Sequence, residues 1–178
     1  MQHQIQLAEI QSFYRALRGE PDAAAELTGS ERYPAIRGTA VFYQTTAGVL
    51  VTVWAAGLPQ GENDCSAPIF ALHIHSGEAC EGDREDPFRA AMSHYNPGDC
   101  PHPDHAGDLA PLFGNQGQAF SVLLTDRFSV EEVIGRAVIL HRDPDDFTTQ
   151  PAGNAGEKIA CGLIREIRRC GSSPCFAI

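Results

Sequence analysis

The sequence lacks several features that mark common classes of protein. No run of about 18 apolar residues is present, so no segment is predicted to span a membrane. There is no Gly-x-Ser-x-Gly motif to place a serine nucleophile and no Cys-x-x-Cys pair to act as a dithiol. Internal repeats and low-complexity tracts are absent as well. These absences leave a globular chain whose chemistry must come from other residues.

Positive charge is also scarce. The chain has 13 lysines and arginines against 23 aspartates and glutamates, for a formal net charge of −10. Nucleic acids and anionic membranes attract basic surfaces, so neither is expected as a partner. A small anionic substrate would have to be attracted by local positive charge within its site, because the molecule as a whole repels it.

The 178 residues, 43% of them hydrophobic, are enough for one domain with a sizeable core. Short apolar segments separated by turn residues favour an all-β sandwich or barrel. Two long loops, 76–118 and 142–157, are expected to be functional because structureless connections of this length usually are. Ser129 is predicted to begin a helix of one turn. The predicted strands are 37–44, 49–57, 69–75, 118–125, 133–141 and 158–167, with a shorter one near 90–94.

The N-terminal part differs from the rest. Residues 1–31 are predicted to be a helical extension of a domain that spans 32–178. The helix is expected to pack on the domain surface or to contact a partner. The helix is predicted because apolar residues recur at i, i+3, i+4 and i+7, the spacing of one helix face. These residues are Ile10, Phe13, Tyr14 and Leu17.

No secretory signal is visible at the N-terminus, which lacks a basic start followed by an apolar core. A cytoplasmic location is therefore expected, although six cysteines are many for a reducing compartment.

Histidine is concentrated in one part of the chain. Five of the seven histidines lie within residues 70–108, and a sixth, His141, ends a later apolar run. Imidazole is a common protein ligand for zinc and copper. The five are His73, His75, His94, His102 and His105.

The spacing of these histidines predicts metal sites. His73 and His75 point to the same face of the strand 69–75, because side chains alternate along a strand, and they make half of a copper site. Three imidazoles and a carboxylate can close a tetrahedral zinc site. His141 could reach the same centre from another strand. The candidate zinc ligands are His94, His102, His105 and Asp108.

Around these residues the sequence resembles the copper/zinc superoxide dismutase family, as a bacterial-type member with an N-terminal extension. The resemblance extends from about residue 33 to residue 167. It implies an eight-stranded Greek-key β-barrel with two long loops, and dismutation of superoxide to oxygen and hydrogen peroxide by one-electron cycling of copper bridged to a structural zinc. The segments that carry it are FALHIH, HYNP, HPDHAGDL, VIGRAVILHRDPDD and GNAGEKIACG.

The resemblance implies a role for each matching residue. His94 would bridge the two metals and carry a proton during turnover. Asp145 would tie a copper histidine to a zinc histidine, and Cys80 would form a disulfide with Cys161. The implied copper ligands are His73, His75, His94 and His141, and the implied zinc ligands are His94, His102, His105 and Asp108.

Two positions depart from the family near the substrate channel. Lys158 stands where the family has an arginine that holds the incoming anion, and Ala152 replaces a threonine that narrows the channel. Lysine keeps the charge but loses the planar fork of donors. We therefore expect an active but slower enzyme.

Several alternatives stay open at this point. A dismutase-like protein could bind copper and zinc without turnover. A zinc hydrolase would need an open zinc position, which four protein ligands do not leave. Cys100, two residues before His102, could supply a thiolate ligand. A homodimer is possible, and three disulfide pairings are open to the four cysteines Cys65, Cys100, Cys170 and Cys175.

Overall fold

The computed structural model describes residues 13–63, 65–170 and 173–175, with the backbone alone for 168–170 and 173–175. Helix α1 covers residues 13–18, and α2 covers Val130–Val133. A single 3₁₀ turn covers Arg89–Ala91. The strands are β1 Ala23–Gly29, β2 Arg37–Thr45, β3 Gly48–Ala56, β4 Ile69–Phe70, β5 Leu72–His75, β6 Leu112–Phe113, β7 Gln118–Thr125, β8 Ala137–His141, β9 Lys158–Leu163, β10 Arg165–Glu166, β11 Arg168–Cys170 and β12 Ser173–Cys175.

Most strands form one curled antiparallel sheet. Its order is β5-β8-β9-β1-β2-β3-β7, and β10 adds to the edge of β1. The two ends of this path are joined by the small β4–β6 pair, because only Ala71 separates β4 from β5 and a short turn leads from β6 to β7. The predicted all-β, eight-stranded barrel is therefore confirmed.

The alternation of side chains along the strands produces the core. In β2 and β3 every second residue points inward, and Phe42, Val51 and Val53 are completely buried. Burial of such side chains stabilises the fold by about 1.5–3 kcal/mol each. The core lies inside the curled sheet, and Leu109 and Leu112 of the first long loop belong to it. The same loop lies along β5, where Gly107 and Tyr95 form backbone hydrogen bonds with Ile74.

The predicted helical extension over residues 1–31 is wrong for the residues of strand β1. Residues 23–29 are not part of a helical extension but pair with both β2 and β9 inside the main sheet. The segment AAAELTG is rich in alanine, which favours helices in isolation. Its alternating burial, with Ala23, Ala25 and Leu27 inward, shows that pairing with neighbouring strands overrides that preference.

The predicted helix near the N-terminus is present in part. Residues 13–18 are helical, while Ile10 lies outside the described residues. Tyr14, expected on the apolar face, is 63% exposed. Packing of this helix on the domain or on a partner stays a prediction.

Other differences concern the ends of strands. The predicted strand 133–141 begins only at Ala137, because α2 ends at Val133 and Gly135 takes a positive φ of 84°. The predicted one-turn helix after Ser129 is confirmed, with Ser129 and Glu132 forming a reciprocal capping box. A 3₁₀ turn takes the place of the strand predicted near 90–94.

Among the residues that the structure describes, no helix is long and apolar enough to cross a membrane.

Candidate metal centre

Two neighbouring strands and one loop bring the histidines together. His73 and His75 lie on β5, which pairs with β8, and His141 follows a register shift at the end of β8. The loop after β5 returns alongside that strand, because isolated bridges join His75 to His94 and His73 to Asp108. The six histidines of the centre are all less than 9% exposed.

The first cluster consists of four imidazoles whose candidate ligand atoms lie within 4.8 Å of one another. Nδ1 of His75 lies 2.8 Å from the carbonyl oxygen of Met92, and Nδ1 of His141 lies 3.2 Å from that of Gly156. A carbonyl only accepts, so both Nδ1 atoms carry a proton and each neutral ring presents a lone pair at Nε2. The members are His73, His75, His94 and His141.

Those two Nε2 atoms face each other at 3.2 Å. Two lone pairs at this distance repel, and a cation held between them would remove the repulsion. Nδ1 of His73 is buried and has no hydrogen-bond partner among the described residues. Buried polar atoms normally have partners, so these nitrogens fit a metal ion.

The second cluster has three imidazoles and one carboxylate. Its members are His94, His102, His105 and Asp108. Nδ1 of His94 lies 2.7 Å from Asp108 Oδ1, and Nδ1 of His105 lies 3.2 Å from Asp108 Oδ2. Nδ1 of His102 lies 3.0 Å from Asp108 Oδ2 without the geometry of a hydrogen bond. Three imidazole nitrogens that converge on one carboxylate are arranged as the ligands of a tetrahedral zinc ion would be.

His94 belongs to both clusters. Its Nδ1 lies beside Asp108 and 3.4 Å from Nδ1 of His105. Its Nε2 is buried and lacks a hydrogen-bond partner within the described part of the chain. One ring nitrogen therefore serves the second cluster, and the other is left for the first.

Asp145 links the two clusters from behind. Its Oδ2 lies 2.8 Å from Nε2 of His73, and its Oδ1 lies 2.8 Å from Nε2 of His102. A carboxylate accepts from both rings, which leaves Nδ1 of each histidine unprotonated toward its cluster. Gly153 makes this possible: its φ is +63°, and a Cβ there would lie 2.0 Å from Asp145 Oδ1.

Burial controls the protonation of the first cluster. Desolvation, with repulsion from neighbouring imidazoles, lowers the pKa of His73 and of His75 to about 2. Burial also lowers the pKa of His141, to about 4. These three rings are neutral at ordinary pH and present lone pairs rather than positive charge.

Asp108 is ionised for a different reason. Its burial opposes ionisation, but the hydrogen bond from His94 and the nearby imidazoles outweigh this, and the pKa of Asp108 is lowered. An anionic oxygen among buried imidazoles can bind a divalent cation and partly balance its charge.

The remaining candidate residues lie around the centre. Cys80 and Cys161 form a disulfide that ties the first long loop to β9. Cys100 is exposed, and its Sγ lies 3.7 Å from the carbonyl oxygen of Gly98 rather than in the second cluster. Lys158 is the cross-strand partner of His141.

Sequence reasoning missed three groups. The carbonyl oxygens of Met92 and Gly156 fix ring orientations, but backbone atoms leave no signal in a sequence. Asp86 accepts a hydrogen bond from Lys158 Nζ at 2.8 Å. Asp86 stands among several acidic residues of the first loop, and nothing in the sequence singles it out.

Comparisons with known proteins agree with this geometry. The family model described as copper/zinc superoxide dismutase (SODC) matches residues 36–164. A curated protein of Aquifex aeolicus named superoxide dismutase [Cu-Zn] 2 is 34% identical over 158 residues, covering 80% of this chain and 86% of its own length. The superoxide dismutase [Cu-Zn] of Deinococcus radiodurans is 31% identical over 167 residues, which cover 84% of this chain and 87% of its own length.

Proposed function

The chain belongs to the copper/zinc superoxide dismutase family, and on that premise we propose which of its residues perform the reaction. The activity is the dismutation of superoxide, and copper and zinc are its cofactors. In this proposal the first cluster holds copper and the second holds zinc. Copper in an all-imidazole site gains and loses one electron readily, whereas zinc has no redox chemistry and orders the ligands around it.

His94 has the central role in the proposal. Its Nδ1 stays with Asp108 and the second cluster, while its Nε2 is free to take up a proton and to give it to the reduced product. Two superoxide ions and two protons yield one oxygen and one hydrogen peroxide, so each turnover needs protons delivered at the reacting centre. A ring nitrogen without another partner is suited to that task.

Lys158 is proposed to bind the incoming anion. It lies opposite His141 in the β8–β9 ladder, and side chains of directly opposed residues lie on the same face of a sheet. Lys158 is therefore the cationic residue of the β8–β9 pair that lies beside the first cluster. Lysine acts as a point charge rather than as a planar fork, which agrees with a slower enzyme.

The sharing of His94 between two four-residue clusters is the single observation that carries this function. The test is dismutation by protein reconstituted with one copper and one zinc, with both metals counted on the same sample. We expect rapid turnover that disappears when copper alone is removed. Absence of turnover with both metals bound would favour the alternative, a copper- and zinc-binding protein without catalysis.

A pair of variants makes the test specific to the first cluster. His141→Ala removes one proposed copper ligand and none of the zinc ligands, so it should lose copper and activity while retaining zinc. His3→Ala is the matched control, because His3 is the one histidine of the sequence that is not among the proposed ligands. Equal activity of the two variants would contradict the assignment.

We also propose that the protein forms a homodimer through the outer face of β3 and β7. Trp54 and Phe120 are cross-strand partners there and are 45% and 69% exposed. Val122 and Leu124 extend the exposed apolar stripe along β7. Monomeric proteins rarely expose contiguous apolar patches of this kind, so a second copy is the expected cover.

A further inference from the structure

The approach to the first cluster contains an ion pair that the family resemblance does not explain. Lys158 Nζ donates to Asp86 Oδ2 at 2.8 Å and to the carbonyl oxygen of Phe88 at 3.2 Å. The Lys158 and Asp86 side chains are only 15% and 34% exposed, so the pair is partly withdrawn from solvent. Two of the three ammonium donors are thus occupied by this protein's own acceptors.

The position of Asp86 is fixed by its surroundings. Its Oδ1 accepts a hydrogen bond from the backbone N–H of Phe88 at 3.2 Å, which orients the carboxylate toward Lys158. The disulfide between Cys80 and Cys161 ties the same loop to β9, three residues from Lys158. The contact is therefore held by the fold and is not a chance meeting of two flexible side chains.

The groove around this pair is not positively charged. It has a volume of about 280 Å³ and borders Gly156, whose carbonyl oxygen orients His141. Its second cation, Arg32, is itself paired with Glu157 at 2.9 Å. Its charged lining residues are Arg32, Glu85, Asp86, Glu157 and Lys158, or two cations against three carboxylates.

We propose that Asp86 competes with the substrate anion for Lys158, and so sets both the rate of anion capture and its dependence on salt. An anion that arrives at His141 meets an ammonium group whose charge is already compensated 2.8 Å away. The field of such a pair falls off much faster with distance than that of a single charge. The proposal rests on the roles assigned above to Lys158 and the first cluster.

Asp86→Asn tests the competition with little change of shape. The amide oxygen can still accept from the N–H of Phe88, while the negative charge beside Lys158 is removed. Glu81→Gln is the matched control: it removes the same charge from the same loop, and the Glu81 side chain forms no hydrogen bond or ion pair with the described residues. Both variants should be compared as copper- and zinc-loaded protein.

The first readout is kcat/KM for superoxide as a function of ionic strength. For the unmodified protein we expect kcat/KM to rise with salt, because screening relieves the repulsion between the anion and an acidic groove. Asp86→Asn should be faster at low salt by about threefold or more and should lose that advantage as salt increases. Glu81→Gln should resemble the unmodified protein.

The second readout is the affinity of the copper-loaded protein for azide, a monoanion, followed by absorbance. Asp86→Asn should bind azide about threefold more tightly at low salt, for the same electrostatic reason. In a Lys158→Gln background the same substitution should have a much smaller effect on azide affinity, since it then removes only the direct repulsion by Asp86 and frees no ammonium group.

The outcomes separate this inference from the proposed function. Equal salt dependence of Asp86→Asn and the unmodified protein would overturn it. So would weaker azide binding in Asp86→Asn, or an effect on azide affinity of equal size in the Lys158→Gln background. If the unmodified, fully loaded protein did not dismutate superoxide, the proposed function would fail, while the azide titrations would still decide whether Asp86 competes for Lys158.

Discussion

At the scale of single residues, the centre depends on which ring nitrogen of each histidine is left free. Backbone carbonyls hold Nδ1 of His75 and His141, and Asp145 holds Nε2 of His73 and His102. The first cluster is therefore presented with Nε2 of His75 and His141 but with Nδ1 of His73. The identity of the ligands alone would not give this arrangement.

Gly153→Ala should disturb Asp145 and, through it, both clusters. A Cβ at this position would lie 2.0 Å from Asp145 Oδ1 and 2.7 Å from His102 Nε2. Changes to such supporting partners typically cost about 10–100-fold in metal affinity. We expect a loss of that order in zinc affinity, measured by competition with a chelator.

Gly135→Ala is the control for this prediction. Gly135 also has a positive φ, +84°, but a Cβ there would meet nothing within 4 Å. It should share the backbone strain of Gly153→Ala, about 1–3 kcal/mol, and leave zinc affinity unchanged. Equal zinc affinities in the two variants would show that the collision with Asp145 does not matter.

Lys158→Arg should accelerate the enzyme. A guanidinium has five donors in a fixed fork, so it can pair with Asp86 and still offer N–H groups to an anion. We expect kcat/KM at low salt to rise about threefold or more, and Lys158→Gln to lower it by a similar factor. A fast parent enzyme with an unchanged Lys158→Arg variant would contradict the expectation that lysine limits the rate.

At the scale of elements, the disulfide connects the longest loop to the last strand that lines the centre. Cys80 and Cys161 are 81 residues apart in sequence, and closing so long a loop restricts the unfolded chain strongly. The bond also keeps the loop that carries Asp86 against β9.

Removal of this bond in a Cys80→Ser/Cys161→Ser double variant should lower the free energy of unfolding by about 4 kcal/mol on the chain-entropy estimate. The measurement is urea unfolding of metal-free protein, so that changes in metal binding do not contribute. Cys65→Ser/Cys100→Ser is the matched control, because both cysteines are free and exposed. A difference between the two double variants below about 1 kcal/mol would oppose the entropic explanation.

The strands illustrate how far sequence patterns reach. β2, β3 and β7 follow their predicted bounds within one residue, because each alternates clearly and ends at turn residues. The sequence pattern does not indicate β1, because its small residues carry little hydrophobic signal and its alanines favour helix. Only its partners, β2 and β9, reveal its place in the sheet.

At the scale of the whole molecule, an acidic protein with a net charge of −10 exposes an apolar stripe on β3 and β7. At physiological salt, the repulsion between the negative charges of two copies is screened beyond about 8–10 Å, so it opposes burial of the apolar stripe only weakly. The stripe is accordingly the place where two copies can associate despite their like charges.

Phe120→Lys should shift the protein from dimer to monomer in sedimentation velocity, because it places a charge in the centre of the apolar face. Ile134→Lys is the control, since Ile134 is 38% exposed but lies outside β3 and β7. A monomeric parent protein, or a dimer that survives Phe120→Lys, would refute the proposed interface.

The sequence by itself determined the kinds of ligand, their order along the chain, the alternation of most strands and the family, because these are properties of residue type and local spacing. Tertiary structure alone decided that β1 completes the sheet, that the carbonyl oxygens of Met92 and Gly156 orient His75 and His141, and that Asp86 neutralises Lys158. The contact between Asp86 and Lys158 joins residues 72 positions apart. Such contacts depend on the paths of separate strands and loops through space, and no local pattern in the chain records them.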